Sequence, residues 1–342
     1  MKKCILALVI LLSLLQAAAA AGEQKIIGAL SYLNLSEEEY SKYIQSKAKA
    51  VALLSDNGYI TIDPSLQVAD SDANGIQVIF YESLGEMLMD ISSGKINEII
   101  VPQSTAEYLC ARNHELFRPI VFDNNYVYKD KFEEIITERM SDGFAFMMME
   151  YNRSLKDEFD TAIAAMKEDG TITELIHDHI QNLLTGGSAP QISLEQKEGR
   201  ETITVAITGS LPPMDYVGPD GNFSGFNAAI LAEIGRRLDK NIEFIQVDNV
   251  GRSLALVSGK ADAAFWTRST PNPHISEMSD EEYAAYIENL KAAYTEEENE
   301  VMRLLSEALS RGKLDRRDIP EGCIITEPYY IDISVPVMLR NR

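Results

Sequence analysis

Cysteine is scarce in this chain of 342 residues, with three in all, and Cys4 lies within the first few positions. That leaves Cys110 and Cys323, too few and too far apart for a disulfide framework. Histidine is limited to four. His177 and His179 stand two apart on a helical stretch and face different directions, which favours solvated side chains over a zinc pair. Positive charge is short: 31 basic residues against 53 acidic ones give a net charge of -22. Such a surface repels nucleic acid and anionic lipid headgroups. Beyond the first residues, no stretch is apolar enough to cross a bilayer.

What is present begins with an export signal. Lys2 and Lys3 precede an apolar stretch from Ile5 to Leu15, and Ala17–Ala21 supply small residues for cleavage. This is the layout of a secretory leader over residues 1–21, with no lipid-anchor cysteine at the cleavage site. The expected product starts near Gly22 or Glu23, is periplasmic or secreted, and carries Cys110 and Cys323 as free, partly buried thiols. Loss of Lys2 and Lys3 takes the charge from -22 to -24.

The rest is organised by an internal repeat. Residues 78–101 (VIFYESLGEMLMDISSGKINEIIV) and 242–266 (IEFIQVDNVGRSLALVSGKADAAFW) both read as strand, short helix, Ser-Gly-Lys turn, strand. Leu84, Met87, Leu88 and Ile91 recur at helical spacing before Gly94, and Leu254, Leu256 and Val257 precede Gly259. One unit used twice implies two lobes of similar α/β architecture. The apolar run Phe144–Met149 reads as a buried strand, and its three methionines suit a hinge strand better than a soft-metal site. Capping boxes at Ser154 and Thr171 open two helices, and TGGSAPQISLEQKEGR after them is a polar linker.

The segment ITVAITGSLPPMDYVGPDGNFSGFNAAILAEIGRRL resembles the opening of bacterial extracellular solute-binding proteins of family 3, the substrate-binding components of amino-acid-type ABC importers. LVSGKADAAF and ITEPYY resemble further motifs of the same lobe. KIIGALSYLNLSEEEYSKYI, YESLGEMLMDISSGKINEIIVPQSTAEYL and LKDEFDTAIAAMKEDGTITELIHDHI resemble the family's second lobe and closing helices. The resemblance therefore implies a two-lobed periplasmic-binding-protein (Venus-flytrap) fold of type II, circularly permuted. A decayed tandem protein is the rival account. The expected boundaries are a second lobe at 22–143, a hinge strand and closing helices at 144–183, and a linker at 184–201. A first lobe at 202–342 then carries a charged helical insertion at 271–322, either a solvated helix pair or a docking surface or lid. The permutation is expected to leave one covalent crossing between lobes, at Phe144–Met149, the other being held by pairing of the chain ends.

In the resembling family the ligand lies between the lobes. The Pro212-Pro213 turn matches its cleft loop, with Met214 in place of the usual aromatic and Tyr216 as the alternative wall. Trp266, Thr267, Arg268 and Ser269 fall where the family grips a ligand carboxylate, and a guanidinium forks well onto that group. Trp266 reads equally well as core, and Arg268 as a partner of surface carboxylates. In the other lobe Ser31, Tyr32 and Asn34 match a loop that offers hydroxyl and amide groups, or they simply cap a helix. Gln103 sits where many members carry an aspartate for an α-ammonium group, and Asn227 replaces another acid. Those replacements count against an ordinary amino acid ligand.

The expected function is capture of a small polar solute, an amino acid or related organic acid or peptide, by a monomer that delivers it to ABC importer membrane subunits. No cofactor, metal or nucleic acid is implied, and no catalysis. The alternatives are a dehydratase-like enzyme on the same scaffold, for which Asp215 and His274 are conceivable, and a ligand-sensing subunit for a separate membrane partner.

Overall fold

The computed structural model describes residues 25–30, 76–117, 141–194, 196–218, 220–268, 279–292 and 320–340, with single positions between 36 and 41 and between 295 and 303. The leader lies outside the described residues, as does most of the 271–322 insertion apart from a helix at Asp280–Ala292. Among the described residues no helix is long and apolar enough to cross a membrane.

Among the described residues, apolar runs with β-branched residues form two main sheets, beside a small three-stranded one. In the first, β1 (Lys25–Leu30), β2 (Ile76–Tyr81) and β3 (Glu98–Pro102) are parallel. Strand β14 (Ser334–Leu339) runs antiparallel between β3 and β4 (Leu116–Phe117), giving the order β2-β1-β3-β14-β4. In the second sheet β6 (Thr202–Ile207), β10 (Asn241–Gln246) and β11 (Ala263–Arg268) are parallel. Strand β5 (Asp142–Met149) lies antiparallel between β11 and the short β12 (Cys323–Ile325), giving the order β10-β6-β11-β5-β12, with β13 (Tyr330–Asp332) also on β5.

The two orders are the same in kind: second strand, first, third, an antiparallel visitor, then a short last strand. Each visitor comes from the far part of the chain. This corrects the expectation of a single covalent crossing. The chain crosses between sheets twice, once between Phe117 and Asp142 and once between Asp332 and Ser334. Strands β1 and β14, the outermost described segments, do not pair with each other, because β3 lies between them. Ile27 faces Glu98 and Val337 faces Ile99, so Lys25 and Leu339 lie toward the same side of that sheet. Two strand spacings put them about 10 Å apart.

Alternation along β5 explains its central place. Phe144, Phe146 and Met148 enter one core with Phe159, Phe226, Ile230 and Tyr329, while Ala145 and Met147 enter another with Leu256 and Trp266. Burying each such large side chain contributes about 1.5–3 kcal/mol. The repeated helices take the caps their sequences call for. Ser83 accepts from Glu86 N at the start of α1 (Leu84–Ser93), and Gly94, at φ 79°, closes it. Helix α2 (Gln103–Arg112) follows β3. Helices α3 (Arg153–Glu168) and α4 pack below the second sheet; α4 begins at Thr171–Ile176 and runs on through a wider turn at His177–Gln181 to Asn182–Leu184. Helix α5 (Phe226–Leu238) packs on both of them. Asp248 accepts from Gly251 N at the start of α6 (Asn249–Val257), and Gly259 follows at φ 69°.

The linker is not a loose tether. Gln196 Nε2 donates to Ile242 O at 2.8 Å, Lys197 N donates to Asn241 Oδ1, and Asn241 Nδ2 returns a bond to Lys197 O. It thereby covers β10, the edge strand of its sheet, whose polar backbone would otherwise invite pairing with other chains. Among the described residues Cys110 and Cys323 form no disulfide, and both are partly buried.

Candidate functional site

The two sheets share a cavity of about 80 Å³. Leu30, Pro102 and Ser334 line it from the first sheet, Trp266 from the second, and Thr208, Asp215 and Arg252 from the loop after β6, the small three-stranded sheet and α6. Asn249 at the start of α6 closes one side, its Nδ2 donating across the cleft to Glu82 O at 2.9 Å.

The wall on the second sheet is built by a turn locked to a helix. The turn between β7 (Ser210–Leu211) and β8 (Asp215–Val217) carries a cis Pro212–Pro213 bond. It is stapled to α5, because Phe226 N donates to Pro213 O and Asn227 N to Met214 O. Gly225 makes that approach possible: it sits at φ 105°, and a Cβ there would lie 2.5 Å from Met214 O. No other residue type fits so close to a backbone oxygen.

Asp215 is the polar centre of this wall. It is buried and accepts from Thr208 Oγ1 at 2.7 Å, Gly209 N at 2.8 Å and Asn227 Nδ2 at 3.3 Å. Tyr329 Oη completes the chain by donating to Asn227 Oδ1 at 2.8 Å. Burial pushes the Asp215 carboxyl above its ordinary range, opposed by these donors and by the nearby Arg252 charge. Burial likewise pushes the Tyr329 phenol well up. Arg252, on the first turns of α6, donates from Nη1 to Phe265 O at 2.9 Å, and its guanidinium lies 5.4 Å from the Trp266 ring centre. A cation beside an aromatic face in the lining of a small cavity suits an anionic group.

The expected site residues divide. Trp266 and Thr267 line the cavity, Trp266 with one face in the core beside Met147 and Leu256. Arg268 ends β11, paired by its backbone with Gly143; its side chain, and all of Ser269, Ser31, Tyr32, Asn34 and His274, lie outside the described residues. Met214 is fully buried, its Sδ 3.5 Å from Ser104 Oγ of the opposite lobe, so it packs the lobe contact and is not among the residues lining the cavity. Tyr216 is half-buried near Tyr108 and Arg112 of α2; burial is the main cause that raises its hydroxyl pKa. Gln103 is buried at the start of α2, its Nε2 donating to Glu107 Oε1 at 3.0 Å. His179, expected in solvent, is buried, and desolvation lowers its pKa. Arg252 and Asn249 escaped sequence reasoning. The available signal was their place on the first turn of a repeated helix, directly after a strand end.

Among solved structures, the zinc-bound ligand-binding component of an ABC-type import system from Staphylococcus aureus is 9% identical, with 93% of this chain and 66% of that one covered and a TM-score of 0.35. NikA from the same organism, in complex with Ni(L-His)2, is 15% identical over 78% of this chain and 57% of that one, with a TM-score of 0.35. The GluR0 ligand-binding core from Nostoc punctiforme with L-glutamate is 11% identical over 93% and 85%, with a TM-score of 0.30. The chain thus spans under two thirds of the length of the first two. No curated protein matches it. The segment that supplies Asp215, Asn227, Arg252 and Trp266 to the cavity is the one with a family: residues 203–274 match the bacterial extracellular solute-binding proteins, family 3.

Proposed function

We propose that this chain is an exported solute-binding protein that closes two lobes over a small polar solute and delivers it to an ABC importer. The observation that carries the reading is the cavity walled by both lobes, with Arg252 and Trp266 together in its lining. Its size of about 80 Å³ favours a small solute, since sites for drug-sized ligands enclose roughly 300–1,000 Å³. Arg252 is the anchor for an acidic group, and Trp266 the flat face beside it. The cargo is therefore an organic acid or an amino-acid-like anion, met by the lobe that belongs to the matched segment.

The lobes are circularly permuted in this reading. The matching strand orders of the two sheets, and Lys25 and Leu339 about 10 Å apart on one sheet, support a break between β14 and β1 and a new joint at the 184–201 linker. A leader at 1–21 accounts for export.

A thermal-shift screen of amino acids and small mono- and dicarboxylates tests the function. A ligand that binds only the folded state at a hundred times its Kd stabilises it by about 2.7 kcal/mol, a readily measured rise in Tm. Arg252→Gln should abolish the rise for the best hit. A panel in which nothing raises Tm at millimolar concentration would count against solute capture.

A further inference from the structure

A second cavity, of about 360 Å³, lies outside the cleft, roofed by linker residues 191–194 and floored by α4, α5 and β10. Its floor is apolar, with Leu175, Ala229, Ala232 and Ile242, and Leu194 of the roof closes over it. The charges around it invert those of the molecule. Lys197, Arg200, Arg236 and Lys240 line it against Glu233 alone, in a chain with 53 acidic and 31 basic residues.

The ion pairs of Arg200 and Lys240 place their acids outward, whereas Arg236 is itself the exposed partner of Glu233. Arg200 pairs with Asp239, and Lys240 pairs with Glu201 at 3.1 Å and Glu158 at 2.8 Å. The side chains of Arg200 and Lys240 are 24% and 16% exposed, whereas Asp239 and Glu201 are each 73% exposed. Solvent-facing partners hold such pairs weakly, so an anion entering the cavity competes with water-screened carboxylates. His179 adds a buried imidazole whose Nδ1 has no hydrogen-bond partner among the described residues.

We propose that this cavity is a second ligand site, taking a small organic anion with an apolar body, such as a carboxylate on an aliphatic chain. The apolar body lies on Ala229, Ala232 and Ile242, and the anionic group meets Arg200 and Lys240. Occupancy fastens the linker onto α5, the helix whose first turn brings Asn227 to the cleft.

Isothermal titration of the full chain with octanoate tests this, with 1-octanol as the uncharged control. The expected result is one octanoate per chain, bound at least tenfold more weakly by Ala232→Phe, which fills the floor, and by Arg200→Gln, which removes the inner charge. Arg252→Gln, in the cleft, should leave octanoate affinity unchanged. Absence of octanoate binding overturns the proposal. So does wild-type affinity in either Ala232→Phe or Arg200→Gln, loss of binding in Arg252→Gln, or equal affinity for 1-octanol. If Ala232→Phe does not fold, Lys240→Gln replaces it with the same expectation.

Discussion

Ser104 Oγ donates a 2.6 Å hydrogen bond to Asp332 Oδ2, tying the first turn of α2 to the point where the chain passes from one sheet to the other. Ser104 N donates to the same oxygen at 3.1 Å, and Ile333 N to Oδ1 at 2.7 Å. Despite these donors, burial lifts the carboxyl to about 7.

That position has a pH consequence. An unfolded aspartate titrates near 3.9, so between about pH 4 and 7 the folded state holds more protons than the unfolded one. Stability contributed here is complete below about pH 4 and declines as pH rises through 7, by up to ~1.4 kcal/mol per pH unit. Asp215 is shifted in the same direction. Tm should therefore fall from pH 5 to pH 8, and Asp332→Asn should flatten the fall. An unchanged pH slope in Asp332→Asn would remove Asp332 from this account.

Asn227 joins Tyr329 to Asp215 inside the first lobe. Asn227→Ala strands a buried hydroxyl and a carboxylate oxygen at once, each costing about 1–3 kcal/mol. Urea unfolding should show a loss of at least 1 kcal/mol, and the solute affinity of the cleft should drop with it. A variant as stable as the parent would mean that water or a neighbour replaces the amide.

Gly225→Ala is expected to cost more than its size suggests. The new Cβ would lie 2.5 Å from Met214 O and 2.7 Å from Pro213 O, on a backbone at φ 105°. Strain of this kind costs on the order of 1–3 kcal/mol. The denaturant midpoint should fall with the slope unchanged, because the turn moves locally while the core stays packed. An unaffected midpoint would show that the turn can give way freely.

The proposed permutation predicts that the break can be moved. Joining Arg342 to Gly22 through a short Gly/Ser linker and opening the chain at Gly186–Gly187 restores the unpermuted order. That chain should fold with an unaltered circular dichroism spectrum and retain solute binding. Aggregation of this variant, with the parent soluble under the same conditions, would favour a fold that depends on its present ends.

Much of this arrangement is written locally in the sequence. The Ser-Gly-Lys units, Gly94 and Gly259 after their helices, and the apolar run of β5 all follow from spacing and from the backbone freedom of glycine. The partner of β14 does not. Ser334–Leu339 is an apolar strand that reads alike in either sheet, and only the tertiary crossing after Asp332 decides for the first. Met214 was unreadable for a similar reason: an apolar side chain in a cleft loop fits a ligand wall or a lobe contact equally, and Ser104 across the gap selects the contact. Arg252 was hidden because an arginine on a short amphipathic helix looks solvated. Its bond to Phe265 O turns it into the cleft.

Trp266 is the only tryptophan and lines the cleft cavity, so its emission reports directly on what enters there. Titrating the best solute from the thermal screen while following that emission tests the central claim. Solute capture between the lobes predicts a saturable change with one site, the same Kd as calorimetry, and loss of the change in Arg252→Gln. Calorimetric binding with no change in Trp266 emission, and full affinity in Arg252→Gln, would place the solute elsewhere and contradict the account.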